Sequence, residues 1–267
     1  MEEALPTRFF IIRPFARNDE AACKQIIGDS VMSSVNRTFM AAMLRETTFQ
    51  LMIFLAAILF ILVGVPLQYC AMSVPLTIIS LYVIIWSTVF AKSLEVQHEI
   101  SLVKQQYQQS DKTNLWVAEF YGPMIDFDAK APISYMDNCN QLNNCEDLLS
   151  SKKKRIVGFV GVQRNQHRAG GHPCNLWLRR LVVSSDVRRK RIATELVNKV
   201  TKFCYEIGYS SIETCINECQ QEGREFLLNR GFELELHYHK NVLGSSAVYT
   251  KYIFRRDLLH AKSALNA

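Results

Sequence analysis

From Thr47 to Ala91 the chain carries no Asp, Glu, Lys, Arg or His, and Glu46 and Lys92 close this window. A helix through it would run about 67 Å, whereas one crossing of a bilayer's hydrocarbon core needs roughly 30 Å, or about 20 residues. The window is long enough for two arms and a turn, and too long for one span. The turn falls between Pro66 and Pro75, where Gln68, Tyr69, Cys70 and Ser73 are more polar and proline suits a break. Residues 49–65 and 76–91 form the arms of a transmembrane helical hairpin. A buried hairpin in a soluble bundle competes, but soluble core helices rarely go this far without a charge. A cleaved signal peptide fits poorly, because domain-like sequence precedes the run.

Charge sets the expected topology. Arg37 and Arg45 precede the window, Lys92 and Lys104 follow it, and the turn has no basic residue. Under the positive-inside rule both flanks stay cytosolic, and the turn reaches toward or across the far leaflet. A shallow re-entrant hairpin satisfies the same charges. Membrane lipid is therefore an expected partner, on an intracellular membrane such as the endoplasmic reticulum. Eight cysteines (23, 70, 139, 145, 174, 204, 215 and 219) lack the paired CxxC spacing of a zinc site, so no metal is expected. They read as free thiols, although Cys139 and Cys145 could pair in an oxidising compartment. The net charge of +6, with clusters at 152–155, 188–191 and 255–256, comes with no nucleic-acid motif. Anionic lipid headgroups are the simpler partner, and no nucleic acid is expected.

The flanks divide as residues 1–46 (a strand and a helix), 92–258 (the rest of one soluble domain) and a tail at 259–267. Arg8 to Phe15 reads as a strand, and Asn18 or Asp19 caps a helix to about Ile27. Lys92 to Gln109 reads as an amphipathic helix with Leu94, His98, Leu102 and Tyr107 inward. Strands are expected at 115–121, 155–162, 175–183, 211–216, 232–238 and 248–255. Helices are expected from near Ile192 to Tyr205 and at 218–229, and Tyr121 to Lys154 is a polar insertion loop. Strands mixed with single helices give an α/β (α+β) fold, a mixed central sheet with helices on both faces. The window interrupts this domain after its first helix, so both flanks must lie on one side of the membrane.

Chemistry concentrates in LVVSSDVRRKRIATELVNKV, Leu181 to Val200. A strand ends at Val183 and a helix begins near Ile192, leaving backbone N–H groups free at the helix start, where an anion such as a pyrophosphate can bind. Arg188, Arg189, Lys190 and Arg191 add positive charge; a solvated basic helix entry would look the same.

The run Arg188-Arg189-Lys190-Arg191-Ile192-Ala193 resembles the acetyl-CoA motif of the GNAT superfamily of N-acetyltransferases: Arg or Gln, two residues, Gly, one residue, then Gly or Ala. LVVSSDV before it, and EFLLNRGFELE at Glu225 to Glu235, resemble the family's strand, last helix and Gly-Phe. The strand IRPF at Ile12 to Phe15 and the hydrophobic segment after the first helix resemble the membrane-anchored, camello-like members. These include aspartate and cysteine-conjugate N-acetyltransferases.

The resemblance implies a GNAT-like fold and acetyl-CoA as co-substrate. Main-chain amides from Arg189 through Ile192 to Ala193 would hold its pyrophosphate, the Val182–Val183 edge its pantetheine arm, and the acetyl group would sit near Leu181. A membrane-bound N-acetyltransferase acting on a small amino acid, a conjugate or a lysine is the implied function. Three positions depart from the pattern. Arg191 replaces the motif glycine, Leu227 replaces the tyrosine that serves as general acid, and Trp177 stands where some members carry a glutamate base. Tyr205, His237, Tyr238 and His239 are the remaining proton carriers to consider; no catalytic residue is assigned. The departures leave a second class open, an acetyltransferase-fold binding module tethered to the membrane without turnover.

Overall fold

The computed structural model describes residues 8–64, 66–108, 114–122, 134–136, 153–164, 175–218, 220–243 and 247–258. Eight strands form one sheet in the order β3-β1-β2-β4-β5-β6-β8-β7. They are β1 (Phe9–Pro14), β2 (Asn114–Gly122), β3 (Ser134–Met136), β4 (Lys153–Arg164), β5 (Asn175–Val183), β6 (Ser211–Asn217), β7 (Glu233–Leu243) and β8 (Ala247–Asp257). Only β1–β3 and β5–β6 pair in parallel; the other neighbours are antiparallel. The expected mixed sheet with flanking helices is therefore the observed fold.

Two apolar layers fix the helices to opposite faces. On one face, α6 (Ile192–Ile207) buries Ile192, Leu196, Val197, Val200 and Cys204, a spacing of three and four residues that aligns them on one stripe. This stripe packs on Val160, Val162, Leu176 and Ile212 of the sheet, with Leu227 of α7 (Gln221–Leu228) in the same cluster. Each fully buried aliphatic side chain there contributes about 1.5–3 kcal/mol. Gly208, at φ +87, ends α6, and its amide and that of Tyr209 both donate to Cys204 O at 2.9 Å. On the other face, Cys23, Ile26 and Ile27 of α1 (Glu20–Met32) meet Val96 and Ile100 of a long helix over Val117, Ile156 and Phe159.

The structure corrects several boundaries. The first helix runs to Met32 rather than Ile27, and a further helix, α2 (Val35–Met43), follows it. The second hydrophobic arm and the amphipathic helix after it are one 36-residue helix, α5 (Ser73–Gln108). After Pro75 in its first turn, no glycine or proline interrupts that run, so nothing breaks it at Lys92. Its inner face is also different from the expected one: Ser93, Val96 and Ile100 are buried, whereas Leu94 and His98 are exposed. The side chains of Leu102 and Tyr107 lie outside the described residues. Within the expected insertion loop, β2 reaches Gly122, residues 134–136 form edge strand β3, and β4 starts at Lys153. The remainder of that stretch, the tail at 259–267, and Cys139, Cys145, Cys174 and Cys219 lie outside the described residues. Cys23, Cys204 and Cys215 are free thiols, and Cys70 is buried.

In the hydrophobic window, α3 (Glu46–Ile61) is followed by Gly64 at φ +70, Pro66, the short α4 (Leu67–Cys70) and α5. The break between the two long helices thus spans residues 62–72, so the first arm ends four residues earlier than expected and Pro75 lies in the first turn of α5. Phe49, Leu51, Ile53, Phe54, Ile79 and Ile84 are each more than half exposed. The stretch Gln68–Ile100 has a mean hydropathy of 2.0 in its most apolar part. At 16 residues, α3 is about 24 Å long, short of a full crossing.

Arg13 ties the start of the chain to the sheet. Its Nη1 donates to Asp19 at 2.6 Å and its Nε donates to Glu119 at 2.7 Å. The Arg13 pKa is raised chiefly by the Asp19 hydrogen bond, and burial opposes the rise.

Candidate functional site

Strands β5 and β6 run side by side only from Asn175↔Ser211 to Leu178↔Thr214. Beyond that point they part. β5 follows β4, with Val182 opposite Phe159 and Val183 opposite Gly158. β6 follows β8, from Cys215 opposite Ile253 to Asn217 opposite Lys251. The divergence has a local cause on β5. Arg180 and Leu181 together stand against Val160 alone, and Arg180 takes φ +59, the left-handed conformation of a bulge residue. Gly158 permits the close approach of β4, since a Cβ there would lie 2.8 Å from Val182 O. The Thr214 hydroxyl donates to Leu178 O at 3.1 Å and closes the apex of the opening.

The Arg180 guanidinium leaves β5 on the α5 side and pairs with Glu99. Burial lowers its pKa, and nearby Glu95 opposes that shift.

After Val183 the chain turns through a short 3-10 segment, Ser185–Val187, pinned by buried Val187 and by Ser184 N donating to Val157 O at 2.8 Å. Arg155 pairs with Asp186, whose carboxylate also accepts from the Ser184 hydroxyl. Burial works against that carboxylate, but Ser184 and Arg155 outweigh it and hold its pKa below the ordinary value. Arg188 is extended, Arg189 has φ +65 and Arg191 has φ +63 as the residue before α6. Glu195 N donates to Arg191 O at 3.1 Å, so the amides of residues 191–194 come before the first intrahelical hydrogen bond, and the Arg191 side chain does not cap them. Alternating left-handed residues at a helix start make a concave set of N–H donors suited to an anion.

The eight residues singled out in the sequence thus share one strand–turn–helix junction. Val182 and Val183 are half-buried on the parting edge of β5, and Arg188, Arg189, Lys190 and Arg191 form the turn. Ile192 is buried beneath the turn and Ala193 is half-buried. Arg188 Nε donates to Val183 O at 3.3 Å. Its Nη1 lies 3.7 Å from Glu222 at the start of α7, and Glu222 accepts from Arg37 of α2 at 2.6 Å. The Arg37 hydrogen bond, with support from Arg188 and Arg189, lowers the Glu222 pKa against a smaller effect of burial.

Other sequence candidates lie elsewhere. Tyr205 is near the far end of α6, about 20 Å along the helix from Ile192. His237 and His239 are exposed on the edge strand β7, and His239 Nδ1 is 3.3 Å from the Thr250 hydroxyl. Tyr238 stands opposite Lys251, itself opposite Asn217 at the end of β6. Trp177 is half-buried below the divergence. Leu227 is 3% exposed and packs in the core. Among the described residues no group of three metal-ligating side chains exists. Sequence reasoning missed Arg180, Thr214, Glu218 and Glu222. Arg180 bore no glycine or proline signal, and the acidic pair is recognisable only through its arginine partners far away in the chain.

Residues 110–232 match the sequence profile of the Acetyltransferase (GNAT) family. No curated protein matches the chain. Among solved structures, an N-acetyltransferase from Staphylococcus aureus Mu50 is 11% identical, with 93% of this chain and 98% of that one covered and a TM-score of 0.47. A GNAT-family protein from Desulfovibrio desulfuricans is 8% identical, with the same coverage and a TM-score of 0.45. A streptothricin acetyltransferase from Bacillus anthracis, in complex with acetyl coenzyme A, is 10% identical, with 58% of this chain and 67% of that one covered and a TM-score of 0.40.

Proposed function

We propose that the chain is a GNAT-type, membrane-bound N-acetyltransferase that moves an acetyl group from acetyl-CoA to an amine, a reading supported by the match of residues 110–232 to the GNAT family profile. The observation that carries this reading is the junction itself: a strand that parts from its neighbour at a bulge, followed by a left-handed, cationic turn at a helix start. The amides of residues 189–193 are the donors for a pyrophosphate, with Arg188, Arg189 and Lys190 supplying charge around them. The free edge of β5 at Val182–Val183 can hydrogen-bond an extended amide-bearing arm in the manner of an added strand. The thioester carbon then lies between the parted strands, where a neutral amine attacks it, the C–S bond breaks and CoA leaves as the thiol. The protein contributes by desolvating and orienting the amine and by stabilising the oxyanion.

The membrane part of the proposal rests on exposed apolar side chains along α3 and the first half of α5, with Arg37 and Arg45 before this charge-free stretch and Lys92 after it. Both flanks build one sheet and so share one side of the bilayer, which we assign to the cytosol at the endoplasmic reticulum. A glycosylation acceptor added at either terminus stays unmodified on this topology; its modification would refute it. Because α3 is only about 24 Å long, a hairpin that enters without fully crossing suits the first arm.

Leu227 supports a second reading. Buried in the core, it cannot donate a proton to the leaving thiolate, which favours a module that binds CoA without turnover. The deciding experiment is calorimetry of acetyl-CoA with the detergent-purified chain, followed by release of CoA thiol on addition of amines. Micromolar binding with thiol release supports the enzyme, and binding without release across all amines supports the module. Absence of binding refutes both.

A further inference from the structure

Both strands that part at the candidate site are fastened to the two flanks of the hydrophobic window. On the β6 side, Glu218 follows the strand's last residue and extends its ladder, with Glu218 N donating to Thr250 O at 3.0 Å. Its carboxylate accepts from Thr250 N at 3.2 Å and from Arg45 at 3.1 Å. Arg45 immediately precedes α3, two residues, or about 3 Å of helix, before the charge-free window opens. On the β5 side, the bulge residue Arg180 pairs with Glu99 of α5. Glu99 lies eight residues, or about 12 Å of helix, after the window closes at Ala91. The opening between β5 and β6 is thus tied to both flanks of the hairpin, and its Arg45–Glu218 corner stands where the charge-free window begins.

The surroundings of the opening are also apolar. Leu181, Val183 and Ile216 are half-buried on the parted strands and pack against the core. Met40 of α2 is 58% exposed, and Leu44, which follows the helix beside Arg45, is 76% exposed. Leu44 thus presents an exposed apolar side chain next to the Arg45–Glu218 corner. From Thr214 at the apex to Glu218 at the rim is four residues of strand, about 13 Å, within reach of a head group whose chain stays among these side chains.

Resting on the acetyltransferase reading above, we propose that the acceptor is a long-chain primary amine resident in the bilayer, which presents its amino group between β5 and β6 past the Arg45–Glu218 corner while its hydrocarbon chain remains in the membrane. The unprotonated nitrogen attacks the acetyl carbonyl and forms the amide N–C bond. The C–S bond breaks, CoA leaves as the thiol, and the surplus proton of the original ammonium goes to solvent. The product is an N-acetylated long-chain amine.

The test uses the full chain in phosphatidylcholine vesicles with hexadecylamine as acceptor, and follows CoA thiol release. Adding more phosphatidylcholine at constant total amine, protein and acetyl-CoA lowers the amine's mole fraction in the bilayer. A rate that falls in proportion to that fraction supports the proposal. Butylamine, with the same amino group and a chain that partitions weakly, is expected to react about a hundredfold or more slowly at equal total concentration. A rate indifferent to surface dilution, or butylamine reacting as fast as hexadecylamine, overturns it. Acetyl-CoA calorimetry on the same vesicles separates the two levels. Donor binding with only water-soluble amines acetylated refutes the bilayer-resident acceptor alone, whereas absent donor binding removes the acetyltransferase reading and this proposal with it.

Discussion

Replacing Arg191 with glycine is expected to push stability and donor binding in opposite directions. Arg191 sits at φ +63, in the left-handed region, as the residue before α6. That conformation costs an L-residue about 1–2 kcal/mol, and glycine adopts it freely. Glycine also gains freedom in the unfolded chain, which takes back about 0.4–1 kcal/mol. No capping hydrogen bond is lost, because the Arg191 side chain makes none. The net expectation is a gain of about 0.5–1 kcal/mol, or roughly 1–4 °C in melting temperature for a domain of this size. Arg191 is exposed, so the charge it lends a bound phosphate is worth no more than an exposed ion pair, about 0.4–1 kcal/mol. Acetyl-CoA affinity should therefore fall about two- to fivefold. Thermal melts of the detergent-purified chain and calorimetry read the two effects separately. A lower melting temperature would refute the left-handed turn. Tighter acetyl-CoA binding would show that the arginine obstructs the cradle rather than serving it.

Four further outcomes follow from the same structure. Arg13→Ala leaves Asp19 and Glu119 without their shared partner; a loss of about 2–4 kcal/mol is expected in the denaturant midpoint, the lower end reflecting Arg13's partial exposure. The Asp19 carboxylate is held below its ordinary 3.8 by Arg13 and the Ala16 amide, against burial. Its stabilisation is therefore full above that value and is lost as pH falls through the lower folded pKa, and Asp19→Asn should flatten the acid limb of the stability profile. Burial pushes the Cys23 and Cys204 thiols up to about 12. At pH 8 both should resist iodoacetamide in the native protein and react once it is denatured; alkylation of either in the native state, read by mass spectrometry, would contradict the packing. Leu227→Tyr should destabilise by about 1–3 kcal/mol without raising turnover, because the position is filled core.

What was legible in the sequence follows from how far each determinant reaches along the chain. The turn from Val183 to Ile192 is local: a strand end, a basic run and an amphipathic stripe lie within twenty residues, so the junction could be placed almost to the residue. The hairpin break could be placed for the same reason, by prolines and a polarity change. The divergence of β5 from β6 could not. It depends on a left-handed residue that is usually glycine and here is Arg180. Moreover, Arg180's partner Glu99 is 81 residues away, and Arg45 meets Glu218 across 173. No periodicity carries information over such separations. The inner face of α5 failed for a related reason. The sequence pattern could weigh Leu94 against Val96 only by hydrophobicity, and both qualify. Tertiary packing chose Ser93, Val96 and Ile100, the stripe that meets α1. Leu94 then points away from the sheet, on the same helix whose earlier turns expose Ile79, Ile84 and Trp86. Hydrophobicity along the helix cannot say on which side its partner lies, and that is why sequence alone assigns the inward face to Leu94.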